Sequence, residues 1–587
     1  MSGINIVLQK TLTISRGRTV NYNIISHFAC TAVVTFFALP SLAQTVPAGA
    51  EAGRIDNRFV DTSAPTSQIT TVRGLESTIP PSQAAAIKLK LNGVIIAGSS
   101  VYLSDALTPT YSELLGKTVT LTQIFDIAAA ITAKYGQDGY ILSRAIIPPQ
   151  DLNQGGATIR IEVIEGYVDD VRWPDKTAAS RRVLDGYENN ITSNRPLNIK
   201  TLERNLLLAN DIPGSQFQSN LVASESNRGA SALVVTVEED NASGYVSVDN
   251  YGVEASGPYQ LTFGGALNNY LGFNEQFKAD VTLAGPSEAG GSELQYLSFG
   301  YSQILNSDGL RFFVNGNISR GQPGTPALVA LEYETEGMNV STGISHSFIR
   351  TREMSLTGTI AFDARNSQSF NLGVPATEDR LRIIRGELAF ENADENGGQN
   401  QITASFSKGV EGLGSTENGN LLASRTPGTV DFFRVNADLA RTQQLSNGFS
   451  LYGHLSGQWT EDPLLSSQEC GYGGRTFGGG YDSSIITGDL CAMASLELRK
   501  NMAVPEAMSE WLDYTQPFAF VDYGKVWNID APLGTPEEDF GSSAGLGMRI
   551  GSGDFSAELA VTKTLQKPES QPDVTDTRVW LKATMKF

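Results

Sequence analysis

From residue 241 to the C-terminus, apolar and polar residues alternate in stretches of about ten, and this period of two limits what the chain can become. Phe277, Ala279, Val281 and Leu283 alternate with Lys278, Asp280 and Thr282. Leu310, Phe312, Val314, Gly316 and Ile318 alternate with Arg311, Phe313, Asn315, Asn317 and Ser319. Met354, Leu356, Gly358, Ile360 and Phe362 form a third such series, and Phe433, Val435, Ala437 and Leu439 a fourth. A soluble β-sandwich would also alternate, so the connections decide. Residues 306–309, 349–353, 445–448 and 551–553 read as tight turns, whereas 321–336, 365–378, 411–428 and 461–490 read as long polar loops. Short turns on one side and long loops on the other are the mark of an outer-membrane barrel. Sixteen candidate strands fit between 244 and 587, an even number, as such barrels require. The last of them ends on Phe587, which belongs with Val579, Leu581, Ala583 and Met585 to the apolar face. A barrel places that residue at the lipid interface.

The first 43 residues read as a secretory signal: Lys10, Arg16 and Arg18 precede an apolar run at 28–39, and Ser41-Leu42-Ala43 supplies a small–x–small cleavage pattern. The run falls short of the ~20 residues needed to cross a bilayer as a helix. No apolar segment of ~18 residues follows it, so insertion requires a closed barrel, the other structure that pairs every backbone group in lipid. The chain has 43 basic and 63 acidic side chains, and losing the signal's three bases takes its net charge from −20 to −23. That balance argues against nucleic acid as a partner.

Residues 44–84 are rich in Ala, Thr, Ser, Pro and Gly and read as a linker or mobile arm, with short helical stretches within it left open. The texture changes at 85. Strict alternation at 87–91, helical spacing over 121–135 with Thr120 or Thr122 placed to cap it, and strands at 139–142 and 157–164 predict a small α/β module over 85–168. A second module is expected over 169–240, with its clearest helix at 202–209 and a closing strand at 232–237. The barrel takes 241–587. The fold class is therefore mainly β, a 16-stranded antiparallel transmembrane barrel preceded by two small α/β domains.

The motifs in these segments are weak singly and specific in order. The first module holds Tyr135, Gly139-Tyr140-Ile141, Pro149-Gln150-Asp151 and Val163-Ile164-Glu165-Gly166. The second holds Pro196-Leu197-Asn198, Leu202-Glu203-Arg204 and Asp211-Ile212-Pro213-Gly214. Asp249-Asn250-Tyr251-Gly252 opens the barrel; Asp462-Pro463-Leu464-Leu465, Gly473-Gly474, 477–482, Gly488-Asp489 and Glu497-Leu498-Arg499 mark a long loop and the strand after it. Phe520-Val521-Asp522-Tyr523-Gly524 gives an F-x-D-x-G strand. This series resembles the transporters of two-partner secretion, which export haemolysins and filamentous adhesins.

The resemblance implies two periplasmic POTRA domains, a barrel in the bacterial outer membrane, a secreted partner exoprotein of haemolysin or adhesin class, and contacts with outer-membrane lipid. It also implies assembly by the barrel assembly machinery, which would read Phe587. The alternative within the superfamily is a factor that inserts other barrel proteins, although such factors usually carry more modules. A diffusion porin is a third reading, with no use for the modules. In the family the long loop folds inward, so Arg475, Phe477, Gly480, Tyr481, Asp482, Asp522 and Gly524 become candidate loop-plug and lumen residues. The family's loop-tip Arg falls on Gly479, and Arg475 is the nearest replacement to pair with Asp522. Equally open is an Arg475 turned to solvent, with Asp522 bonded to water or a backbone amide. Whether the N-terminal arm plugs the barrel is left undecided.

Catalysis finds little support. Beyond the signal only His346, His454, Cys470 and Cys491 remain of their kinds, too few for a metal centre or a partnered nucleophile, and no cofactor site is expected. The glycines of 471–480 have no following Lys-Ser/Thr or helix to make a phosphate loop. Cys470 and Cys491 flank the long loop, and in an oxidising compartment a disulfide between them is the expectation. Cargo recognition is expected by strand addition to the first module, with 157–164 and the helix 121–135 as the candidate groove, unless that face is the domain's own core.

Overall fold

The structure is a computed structural model that describes residues 46–59, 85–151, 156–227, 229–285, 291–504 and 506–587. The expected signal and most of the expected linker lie outside these residues. The part of that linker that is described, 46–59, is not an arm in solvent. Its 3-10 helix Ala52–Phe59 lies inside the barrel.

The first module has strands β1 (Lys88–Ala97), β2 (Thr118–Thr120), β3 (Arg144–Ile146) and β4 (Ala157–Ile164), ordered β2-β1-β4-β3. Helix α1 (Leu121–Gln137) packs on one face. Thr120 caps α1: its hydroxyl accepts from the Gln123 amide at 3.3 Å, while the Gln123 side chain accepts from the Thr120 amide at 2.9 Å. Ile124, Ile127 and Ile131 meet Leu89, Leu91, Ile159 and Ile161 in the core.

This arrangement overturns the candidate groove. β4 is interior to the sheet, paired with β1 on one side and β3 on the other, and the apolar face of α1 is the core itself. The edge that β3 leaves uncovered is occupied at Arg160. Pairing would next set Pro148 opposite Arg160, and proline has no N–H to give. Gln150 substitutes: its Oε1 accepts from the Arg160 amide at 2.8 Å and its Nε2 donates to the Arg160 carbonyl at 2.9 Å. One carboxamide thus imitates a neighbouring strand, which accounts for the glutamine of the Pro-Gln-Asp motif.

Glu165 secures the loop before α1. Its carboxylate accepts from the Ser100 and Val101 amides at 2.7 and 3.0 Å, from the Ser100 hydroxyl, and from Tyr135 Oη at 2.7 Å. Burial alone would push its pKa up, but these hydrogen bonds outweigh it and hold the carboxyl below its usual range. A carboxyl depressed in the folded state contributes stability that is fully present above its unfolded pKa of about 4.3 and is lost as pH falls through the folded value. Glu165→Gln is therefore expected to destabilise the first module by about 1 kcal/mol at pH 7, discounted for partial exposure. The difference from wild type should shrink below about pH 4. Amide exchange across α1 in the full chain reads this, and equal protection at pH 7 would refute it.

The second module comprises β5 (Tyr167–Arg172), α2 (Arg181–Ser193), α3 (Ile199–Asn210), β6 (Ser215–Ala223) and β7 (Ala230–Glu239), with sheet order β5-β7-β6. Its edge strand β6 carries a second carboxamide clamp. Asn210 Oδ1 accepts from the Phe217 amide at 2.7 Å, and its Nδ2 donates to the Phe217 carbonyl at 3.2 Å. Motifs from both modules build the joint between them. The Leu197 amide donates to Gly166 O at 2.9 Å, Ile199 N to Gly139 O at 2.8 Å, and Asn198 Nδ2 to Asp138 O at 3.0 Å. Gly139 (φ +92°) ends α1 where a Cβ would lie 2.9 Å from Asn198 Oδ1.

Sixteen antiparallel strands close the barrel, from Ala242–Asp249 to Thr577–Lys586. The first and last pair over five positions, Lys582↔Asp249 to Lys586↔Tyr245. Among the described residues no helix is long and apolar enough to cross a membrane. One expected long loop is absent: strands Met354–Asn371 and Val374–Ala393 pair to their tips, leaving Leu372-Gly373 as the turn. The polar residues Asn366, Ser367, Gln368 and Ser369 read as loop, yet they pair across as a tall hairpin.

The second module sits on the barrel's tight turns through its motif residues. Arg350 holds Asp211 bidentately, Nε to Oδ2 at 3.0 Å and Nη2 to Oδ1 at 2.8 Å. Arg204 donates to Ser347 O at 2.7 Å and Asp308 O at 3.1 Å, and Glu203 pairs with Arg352 at 3.1 Å. These contacts mark that rim of the barrel as the periplasmic one.

Candidate functional site: two inserts in the barrel lumen

The lumen holds the loop 461–489 and the N-terminal segment 46–59. The loop is fastened where it leaves the wall. Buried Asp489 accepts from the Leu464 amide at 2.7 Å, the Ile529 amide at 2.7 Å and both Nη atoms of Arg425 at 2.7 and 3.2 Å, so one carboxylate ties three outer loops together. A disulfide joins Cys470 to Cys491, and a short hairpin, Cys470–Tyr472 with Ile486–Gly488, carries the loop inward.

The tip lies flat on the wall. Gly479 N donates to Asp522 Oδ2 at 3.2 Å, and Gly480 N to Ser543 Oγ at 2.9 Å. Gly479 O accepts from Trp580 Nε1 at 2.5 Å and Thr562 Oγ1 at 2.8 Å. A Cβ on Gly479 would stand 2.8 Å from Phe520 Cζ, and one on Gly480 2.9 Å from Ser543 Cβ. The position where the family has arginine is here a backbone contact with no room for a side chain.

Asp522 finds its other partners in Tyr472 Oη at 2.7 Å and Ser543 Oγ at 2.8 Å. The expected Arg475–Asp522 pair is not formed. Hydroxyls and an amide already meet the Asp522 carboxylate, and Arg475 bonds Glu558 at 2.5 Å instead, with Glu497 at 3.8 Å. Arg549 bridges the same two acids at 2.7 Å each, and Arg499 pairs with Glu497 at 2.6 Å. Arg475 thus closes an alternating chain of charges while its guanidinium lies over the rings of Phe518 and Phe520.

The remaining expected residues are placed as follows. Gly524 makes room for the Tyr472 ring, whose Cδ2 would lie 2.1 Å from an added Cβ. Tyr481 Oη donates to Ser542 O at 2.8 Å and bonds Gln566 O. Asp482 pairs with Arg578 at 2.6 Å, and Phe477 packs on His454 with ring centroids 4.5 Å apart. Phe587 closes the seam, exchanging backbone hydrogen bonds of 2.8 and 2.9 Å with Gly244.

The N-terminal segment wedges between this loop and the opposite wall. Buried Arg54 donates to Ser466 O at 2.7 Å and Glu469 O at 3.1 Å, and its Nη1 lies 3.9 Å from the Glu469 carboxylate, which also pairs with Arg425 at 3.0 Å. Asp56 pairs with Arg365 at 2.8 Å and accepts from Asn339 at 3.1 Å. Ile55 and Phe59 pack on Tyr296, and Gly53 passes so close to the loop that a Cβ would lie 2.7 Å from Ser467 Cβ. Tyr472, Ser543, Trp580, Arg54 and Glu558 were not found from the sequence. The aromatic in Gly471-Tyr472-Gly473-Gly474 was the one available signal, since such glycines let a ring lie flat.

Two α/β modules on the periplasmic rim of a sixteen-stranded barrel, with an inward loop docked on an F-x-D-x-G strand, define an outer-membrane transport protein with POTRA domains. Residues 229–549, over half the chain, match the profile described as haemolysin secretion/activation protein ShlB/FhaC/HecB, and 89–166 match the POTRA domain, ShlB-type. The chain belongs to that family of two-partner secretion transporters, which work with a secreted exoprotein. It is 23% identical over 469 residues to the heme/hemopexin transporter protein HuxB of Haemophilus influenzae (strain 86-028NP), covering 79% of this chain and 81% of that one. It is 22% identical over 484 residues to the outer membrane transporter CdiB of Dickeya dadantii (strain 3937), covering 80% and 81%. The solved structure of CdiB from Escherichia coli shares the fold with a TM-score of 0.71 at 17% identity, over 93% of this chain and 100% of that one.

Proposed function

We propose that this transporter takes up an unfolded exoprotein at its periplasmic modules and passes it through the lumen without ATP, driven by binding and by folding of the cargo outside. The observation that carries this reading is the segment 46–59. It lodges in the lumen through Arg54, Asp56 and a few apolar contacts, so leaving requires no break in the barrel wall. The docking edge is then reassigned from the first module to β6. Because Asn210 takes both backbone groups of Phe217, the groups of Ser219 and Leu221 point the same way, beyond the clamp, and an extended chain can pair there.

The cargo belongs to the haemolysin or adhesin class in this reading, and the barrel assembly machinery recognises the last strand through Phe587. Normal levels of heat-modifiable, folded barrel after deletion of Phe587 would rule out the second point. Comparing secreted and outer-membrane proteins in a strain lacking this gene tests the main one. Loss of one large secreted protein is expected, with other barrels unchanged. A general fall in barrel proteins would instead show an assembly factor.

A further inference from the structure

We infer that the periplasmic turn 269–274 is a lipid anchor that dips into the periplasmic leaflet of the outer membrane beside the joint with the second module. The turn joins strands Gln260–Asn268 and Glu275–Ala284 and reads Asn269-Tyr270-Leu271-Gly272-Phe273-Asn274. Tyr270 is 77% exposed, Leu271 53% and Phe273 57%. Three large apolar side chains held out of a six-residue turn need an explanation.

The display is built rather than incidental. Glu275 is fully buried, and its carboxylate accepts from the Leu271 amide at 2.5 Å and the Phe273 amide at 2.8 Å. Asn269, Gly272 and Asn274 take left-handed φ of 52°, 78° and 60°, a conformation these residue types tolerate. The Leu271 and Phe273 amides are satisfied inward while the apolar side chains of the same residues stay outside.

What covers them follows from the wall. Leu267 and Phe277 face each other across the two strands, and beyond the small pair Gly265–Ala279 the same outward face carries Phe263 with Val281. All four large side chains are exposed on the lipid side, so the turn continues the apolar band off the strand ends. The segment 269–274 carries no charge, and an aromatic–Leu–aromatic group suits the headgroup boundary, ~5–10 Å into a leaflet. The turn 394–397, by contrast, is Asp394, Glu395, Asn396 and Gly397. A rigid, pinned turn is also a poor receptor for varied unfolded segments, which mobile Met-rich surfaces suit better.

The same turn holds the second module. Asn269 Nδ2 donates to Pro213 O at 3.0 Å, and Asn274 Oδ1 accepts from the Ser180 amide at 2.7 Å. Lipid contact and module docking therefore share six residues, and the bilayer itself fixes the seating of the second module.

The test places photoreactive benzoylphenylalanine at Tyr270 or Phe273 of the full chain, with Asn396 as the reference, and irradiates cells. Mass spectrometry is expected to find phospholipid adducts at both positions, at least ten-fold above the reference. Adducts to a polypeptide there, or lipid yields equal to the reference, would overturn the proposal. A second measurement uses Leu271→Asp/Phe273→Asp, with folding confirmed by heat-modifiable migration. Amide exchange around Pro213 should rise several-fold over wild type in lipid bilayers and stay unchanged in detergent. A rise in detergent as well would mean a protein contact and sink the idea. Neither experiment involves cargo, so both stand whatever the outcome for the proposed function.

Discussion

Arg54→Glu is expected to open the barrel. Arg54 is 1% exposed and shares Glu469 with Arg425, so the substitution sets two carboxylates against each other in a buried site. Breaking such a pair typically costs about 3–5 kcal/mol, because an uncompensated charge remains. Each ~1.4 kcal/mol is tenfold in an equilibrium, so the lodged state of 46–59 should lose at least a hundredfold in relative population. Glu469 keeps Arg425, and the loop should stay folded. In planar bilayers the variant should show a higher mean conductance. Cells producing it should become about ten-fold more sensitive to a bulky antibiotic that the outer membrane normally excludes, in line with that shift. Arg58→Ala, which removes one hydrogen bond to Ser256 at 3.2 Å, should have much less effect. Unchanged conductance in Arg54→Glu would show that the segment does not close the lumen.

The second large effect is expected at Asp522. Asp522→Ala strands Tyr472 Oη and the Gly479 amide in a buried site, at about 1–3 kcal/mol for each unsatisfied donor. The tip should then lift from the wall, exposing 473–482 to protease and cutting secretion at least ten-fold. Arg475→Ala should be milder, since Glu558 keeps Arg549 at 2.7 Å and the Tyr251 hydroxyl at 3.2 Å. A charge swap between Arg475 and Asp522 should restore nothing, because the two do not meet. If Asp522→Ala secretes normally with a protected loop, the tip is not held by this carboxylate.

The barrel was legible because its signal repeats: a period of two sustained over sixteen strands survives errors in any one of them. The modules were legible from one helix each, the first with its cap, and from motifs that prove to be joints, such as Asn198 against Asp138 and Asp211 against Arg350. What failed was anything set by contact between distant segments. Spacing along the loop suggested that Arg475 could reach Asp522, but it does not show that Glu558, 83 residues away, competes for it. Composition did not show that 46–59 lodges in the lumen, since a helix that packs inside a wet lumen needs few apolar residues. The groove on β4 failed for a related reason. Alternation identifies a strand but says nothing of its place in the sheet, and a single proline and glutamine decide whether its edge is open.

The junction at Asp489 bears on what the cell shows to the outside. Arg425, Leu464 and Ile529 each belong to a different outer loop, and all three converge on one buried carboxylate. A change at any of these anchors disturbs the other two loops, so they can drift only together. The crests of the two loops that carry Arg425 and Ile529 are under no such restraint: Leu421 and Leu533 are almost wholly exposed. Antibodies and phages would therefore meet a surface in which the crests are free to vary while their roots are not, and immune escape should accumulate as substitutions and length changes in the crests.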